Sequence, residues 1–170
     1  MSMRMLLAAG LGLALLASAA NAGPENVTWP ANYKTAFTNT FNGDRTANEK
    51  QVIRVFANDM ALQGAATDGK LPFGSVLVAE LYAAKLDADG SVIESTLGRR
   101  IIDKLSAVVV MERGEGFDAE YPDDLKVGDW EFAVFSPSGK RLDKDITGCR
   151  ECHHPLTDME YVFSYEHMLR

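Results

Sequence analysis

Five residues, Cys149-Arg150-Glu151-Cys152-His153, constrain this chain more than any other stretch. They form a C-x-x-C-H motif, the pattern through which a haem is bonded covalently to a polypeptide. The two-residue spacer sets the reach of the thiols to the two haem vinyl groups, and the histidine that follows lies beneath the iron as its proximal ligand. Cys149 and Cys152 are the only cysteines in the chain. Both are therefore committed to one local site, and neither is left for a distant disulfide.

Two other chemistries compete for the same residues. A C-x-x-C pair outside the cytosol also forms plain or catalytic disulfides. A thioredoxin-type pair, however, follows a strand near the start of a βαβ unit, and no such unit follows here. A zinc site would draw on Cys149 and Cys152 with two of His153, His154 and His167. Adjacent histidines point in different directions, and the usual histidine spacing of zinc sites is absent.

Residues 1–22 read as a secretory signal. Arg4 supplies a positive start, Met5 to Ala17 an uncharged Leu/Ala-rich run, and Ala20-Asn21-Ala22 an A-x-A cleavage site. The expected mature chain, 23–170, begins at Gly23 and suits one domain. The apolar run is short for a membrane span. Export combined with C-x-x-C-H fits a bacterial periplasm, with no membrane attachment after cleavage. The formal charge of −7 argues against nucleic acid and anionic membrane surfaces as partners. It suits a basic redox partner protein as well as a plain solvated surface.

The mature part reads as β-rich. Tyr33, Phe37 and Phe41 recur at helical spacing after Pro30, predicting a helix of three turns that ends at Asn42-Gly43-Asp44. Gln51 to Asn58 is a predicted strand, with Arg54 and Phe56 on one face and Ile53 and Val55 on the other. Asn58 is placed to cap a short helix through Ala65. The strongest strand is Ser75 to Leu86, where Ser75, Leu77, Ala79 and Leu81 share one face and Val76, Val78, Glu80 and Tyr82 the other. Lys104–Arg113 and Trp130–Phe135 complete the predicted strands. The expected class is α+β, a mainly antiparallel sheet with flanking helices and a C-terminal haem-attachment helix. Small all-helical electron-transfer cytochromes instead place the motif near their start and take an axial methionine from downstream. Only Met159 and Met168 follow here, and Met159 is too near the motif to reach the opposite haem face. Met60 and Met111 read as core filler. The expectation is a five-coordinate iron with one open face.

Taken together, these residues make the chain resemble the cytochrome P-460 family, which includes the cytochromes c′-beta. The likeness runs from about Trp29 to Met168. It rests on the aromatic entry segment, the strand with Arg54, the Pro72-x-Gly-Ser-Val-Leu-Val-x-Glu-Leu strand, the Trp130-led strand, the late C-x-x-C-H, and Tyr161-Val162-Phe163-Ser164. The resemblance implies one haem c in a mainly antiparallel fold, often as a homodimer, with His153 on the iron. In the hydroxylamine-oxidising members a lysine between Val-x-Val and Glu-Leu is cross-linked to the haem. Here that place is Ala79, and Lys70 and Lys85 lie six or more residues away. The departure points toward the cytochrome c′-beta type and a gas ligand such as nitric oxide.

By strand parity and family position, Leu77, Ala79 and Leu81 are expected to wall the distal pocket, with Phe56 or Phe73 as a cap. Arg54 is either an edge side chain or, as the resemblance suggests, a distal cation that donates to a ligand. Two rival functions stay open. One is oxidation of hydroxylamine or nitric oxide, with Arg54 and Glu80 or Glu112 moving protons. The other is simple electron transfer.

Overall fold

A computed structural model describes residues 23–169; the leader expected over 1–22 lies outside them. The chain folds as α+β, with five antiparallel strands in simple sequential order. They are β1 (Thr38–Asp44), β2 (Gln51–Ala57), β3 (Val76–Ala84), β4 (Ile102–Arg113) and β5 (Trp130–Phe135). Three helices accompany them: α1 (Tyr33–Ala36), α2 (Asp59–Asp68) and α3 (Thr147–His153). Among the described residues no helix is long and apolar enough to cross a membrane.

The predicted three-turn entry helix is corrected. Only α1 forms, and Phe37 is already extended, with φ −105° and ψ 149°. The following Thr38-Asn39-Thr40 favours strand over helix, since β-branched and Asn residues are poor helix formers. Pairing with β2 then satisfies its backbone. A register shift at Thr40 sets Asn39 against Phe56 but Phe41 against Val55. A bulge of this kind adds one residue and turns the next side chain to the other face. Phe41 thereby joins the face of Val55.

α2 begins where expected and runs to Asp68. Asn58 Oδ1 accepts from Ala61 N at 3.0 Å and from Val76 N at 3.1 Å, and its Nδ2 donates to Gly74 O at 2.9 Å. One side chain therefore caps the helix and holds it to the start of β3. Gly69 ends the helix at φ 62°, a conformation that costs glycine little.

The sheet packs on both faces. On one, Val78, Val108, Val110, Ala133 and Phe135 bury against Val27 and Tyr33 from the N-terminal segment. On the other, Ala57, Leu77, Met111, Trp130 and Phe132 bury against α2, Ile146 and the C-terminal tail. That second face is only partly filled, and its unfilled part is the site.

Candidate haem site

α3 carries different chemistry on different sides. Cys149, Cys152 and His153 fall at i, i+3 and i+4, so they share one face. Arg150 lies about 100° away from Cys149 around the helix and is fully buried. Its Nη1 donates to Asp118 Oδ1 at 2.8 Å and Leu125 O at 3.1 Å, and its Nη2 donates to Trp130 O at 2.9 Å. Nη2 also lies 3.0 Å from Glu131 Oε2. The guanidinium stacks on Tyr121, 3.3 Å from the ring centre. Burial and the neighbouring Glu131 charge push the Tyr121 hydroxyl up to about 12, so it stays a donor to Glu131. Arg150 thus ties the cysteine-bearing helix to β5 and to the loop before it.

His153 is held as firmly. Its ring stands edge-on between Phe132 and Phe163, with centroids 5.0 Å from each. Nδ1 lies 2.6 Å from the Tyr161 carbonyl. A carbonyl only accepts, so Nδ1 carries the proton and the neutral ring presents Nε2 as its lone-pair nitrogen. Burial holds the imidazole below its usual pKa, against the opposing Tyr161 hydrogen bond, and the Arg45 charge acts in the same direction as burial. An imidazole fixed through its other nitrogen is the usual arrangement of a metal-ligating histidine.

The Tyr161 carbonyl is aimed by a turn with two consecutive left-handed residues, Glu160 at φ 50° and Tyr161 at φ 61°. Such conformations cost free energy and persist only where neighbours impose them. The neighbours are identifiable. Glu160 Oε2 accepts from Arg113 at 2.6 Å and Leu71 N at 3.2 Å, and Glu160 O accepts from Trp130 Nε1 at 3.0 Å. Gly128 leaves room for the Tyr161 ring, which a Cβ there would meet at 2.5 Å.

Between α3 and the sheet lies a cavity of about 610 Å³, within the size of small-molecule and cofactor sites. Leu77 and Ala79 of β3 form its floor, with Val55 and Val109 flanking Ala79 in register. Cys149, Cys152 and His153 stand on the opposite wall, joined by Phe163 and His167 of the tail. No disulfide joins the two cysteines, and burial raises the pKa of Cys149. His154 turns away, with Nδ1 2.8 Å from Lys126 O. Among the described residues no cluster of three or more Cys, His, Asp or Glu side chains is arranged to hold a metal ion. The zinc reading therefore loses its ligands. Two thiols and a tautomer-fixed imidazole facing one apolar cavity do fit a haem.

Four expected pocket residues are corrected, and the first, Leu81, shares the face of Ala79 but does not line the cavity. Paired residues on antiparallel neighbours share a face, and Ala79 pairs with Val55. Arg54 and Phe56 must therefore point to the far side. Arg54 lies there, exposed, 5.0 Å over the Tyr82 ring. Phe56 packs edge-on against Tyr33 at 5.4 Å. Phe73 is 50% exposed in the turn before β3 and lies near Arg113, away from the cavity. Neither proposed proton carrier reaches the cavity. Glu80 is buried on the far face, bonded by Tyr33 and Tyr82 hydroxyls at 2.7 Å each. Glu112 accepts from Thr28 N at 3.1 Å.

The charged residues at the cavity edge carry no local signal in the sequence. Arg45 sits there, with Nη1 donating to Gln51 Oε1 at 2.7 Å, beside Asp44 and Asp145. His167 stacks on Phe41 with centroids 4.8 Å apart. Arg45 lies in a turn-like run that looks like ordinary surface. Phe41 was hidden by the bulge.

A family model, Cytochrome P460, matches residues 30–164. The chain belongs to the cytochrome P460 family. That membership identifies it as a cytochrome with haem iron, and the matched range takes in the whole sheet, α3 and the cavity lining except His167. Comparison with curated proteins gives no match.

Proposed function

We propose that this cytochrome P460 is exported to the periplasm, carries one haem c bonded through Cys149 and Cys152, and holds one haem face open to nitric oxide or a similar small ligand. His153 would be the protein's iron ligand. The observation that carries this reading is the floor of the cavity. Ala79, with Leu77, Val55 and Val109 around it, offers neither a charge nor a nucleophile. An apolar wall excludes water and anions, because stripping them of hydration costs several kcal/mol or more, but it admits neutral diatomics. A methyl group at position 79 also cannot form a bond to the haem ring, which separates this chain from hydroxylamine oxidation of the cross-linked kind. Arg45, at the cavity edge, takes over the donor role first expected of Arg54.

A second reading has its own observation. Met111 borders the cavity, and a thioether on the iron would make an electron-transfer cytochrome. Two measurements on the exported protein separate these readings. Intact mass under denaturing conditions should show one haem retained covalently, and titration of the reduced protein with nitric oxide should saturate at one per haem. Loss of the haem on denaturation sinks the attachment. Absence of any nitric oxide response favours the Met111 reading. Steady turnover of hydroxylamine with an artificial acceptor would favour the enzyme. The homodimer and the basic redox partner belong to the same proposal, and sedimentation of the holoprotein tests the first of them.

A further inference from the structure

Glu131 is wholly buried on β5, and its carboxylate gathers more than Arg150. Oε2 accepts from the Gly23 nitrogen at 2.9 Å and from Tyr121 at 3.0 Å; Oε1 accepts from Phe132 N at 2.9 Å. The charges in this buried network do not balance. Asp118 and Glu131 bring two negative charges and Arg150 brings one positive charge. A surplus buried carboxylate is costly unless a cation meets it.

The Gly23 nitrogen is well placed to be that cation. Its position is set by the segment that follows. Arg141 donates to the carbonyls of Pro24 and Val27, Thr28 N–H donates to Glu112, and Val27 is fully buried. Gly23 itself is buried. A second carboxylate folds back over it, since a Cβ built at Gly23 would stand 2.4 Å from Glu25 Oε2. A buried carboxylate in a network short of one positive charge suits an ammonium at this nitrogen better than an amide.

We propose that the α-amino group released by cleavage between Ala22 and Gly23 completes the Asp118–Arg150–Glu131 network and so fixes the cysteine-bearing helix. Hydrolysis of that peptide bond by an export peptidase consumes one water and leaves a carboxylate on Ala22 and an ammonium on Gly23. Before cleavage the same nitrogen is a neutral amide and the network lacks one positive charge. After cleavage the ammonium pairs with Glu131, which then holds Arg150 without a surplus charge. The leader's removal and the ordering of α3 become one linked event. This rests on the export reading above.

The test uses the exported holoprotein. Its intact mass fixes the N-terminus first; a start other than Gly23 contradicts the export reading of the cleavage site, whatever the network does. With Gly23 first, acylation of the α-amine by an activated ester, mapped by mass spectrometry, should run at least about tenfold slower than in the urea-unfolded chain, as for a group exposed only by local opening. Equal rates overturn the proposal. A chain with one extra alanine ahead of Gly23 should then unfold at lower urea, and Glu131→Gln should abolish most of that difference. An equal loss in both backgrounds overturns the proposal even if labelling is slow. Should Glu131→Gln fail to fold, the labelling rates decide.

Discussion

Neighbouring residues of β3 meet opposite environments. Val78 and Glu80 face a side filled by protein, while Leu77 and Ala79 face a side left hollow. On the filled side, the buried carboxylate of Glu80 is met by partners. Glu80 accepts from Tyr33 and Tyr82 and pairs with Lys34 at 3.1 Å. Burial raises its pKa, yet those three hydrogen bonds outweigh burial and hold the carboxyl below its usual range. On the hollow side the strand offers small and aliphatic groups, and the polar chemistry comes from α3, the tail and Arg45 at the edge. A sheet that packs its own atoms on one face gains the rigidity to leave the other for a cofactor. Sites built on rigid elements hold their geometry better than sites on loops.

The contrast can be broken at several points, and the cysteines should give the largest effect. Replacing both Cys149 and Cys152 by serine should abolish covalent haem altogether, read as loss of haem mass from the denatured protein. Retention of bonded haem would move the attachment elsewhere. Next comes the tie between the two faces. Arg150→Met leaves Asp118 buried without its cation and takes the guanidinium from Glu131, and should cost about 3–5 kcal/mol in urea unfolding. A neutral result would show that the network is not holding α3.

Packing on the two faces should then differ. Val78→Ala on the filled side opens a new void and should cost about 1–3 kcal/mol. Val109→Ala only widens a cavity already present, so its cost should be less than half of that, with a larger effect on ligand binding. Equal costs would mean that the hollow face is as tightly packed as the other.

The smallest effect concerns acid. Glu80 has its folded pKa lowered, so its contribution is complete above the ordinary value of 4.5 and is lost as the pH falls through the folded value. Glu80→Gln should flatten this acid limb of the stability curve, and urea midpoints between neutral pH and the acid range would show it. An unchanged slope would contradict the reading of Glu80.

Much of this was legible in the sequence, for physical reasons. Alternating apolar residues located β2 to β5, and the Asn58 cap placed the start of α2. C-x-x-C-H located the thiols and the imidazole, because helix geometry alone puts them together. What parity within one strand does not supply is the register across strands. Parity puts Arg54 and Phe56 on one face but cannot say which. The pairing of Val55 with Ala79 sets that face away from the pocket, where Arg54 is the edge side chain of the two alternatives. Tyr33, Phe37 and Phe41 mimic a helical stripe, but Thr38 and Thr40 and the open edge of β2 draw Phe41 into a strand and leave only Tyr33 in the short α1. Glu160 and Arg150 act through contacts far away in sequence, and nothing local marks them.

The central claim is that the hollow face keeps the iron open. It is tested most directly by the visible spectrum of the reduced holoprotein before and after nitric oxide, beside Met111→Leu. The account predicts a high-spin, five-coordinate spectrum that Met111→Leu leaves unchanged and that shifts fully on adding nitric oxide. A low-spin, six-coordinate spectrum that ignores nitric oxide, and turns high-spin only in Met111→Leu, would contradict it.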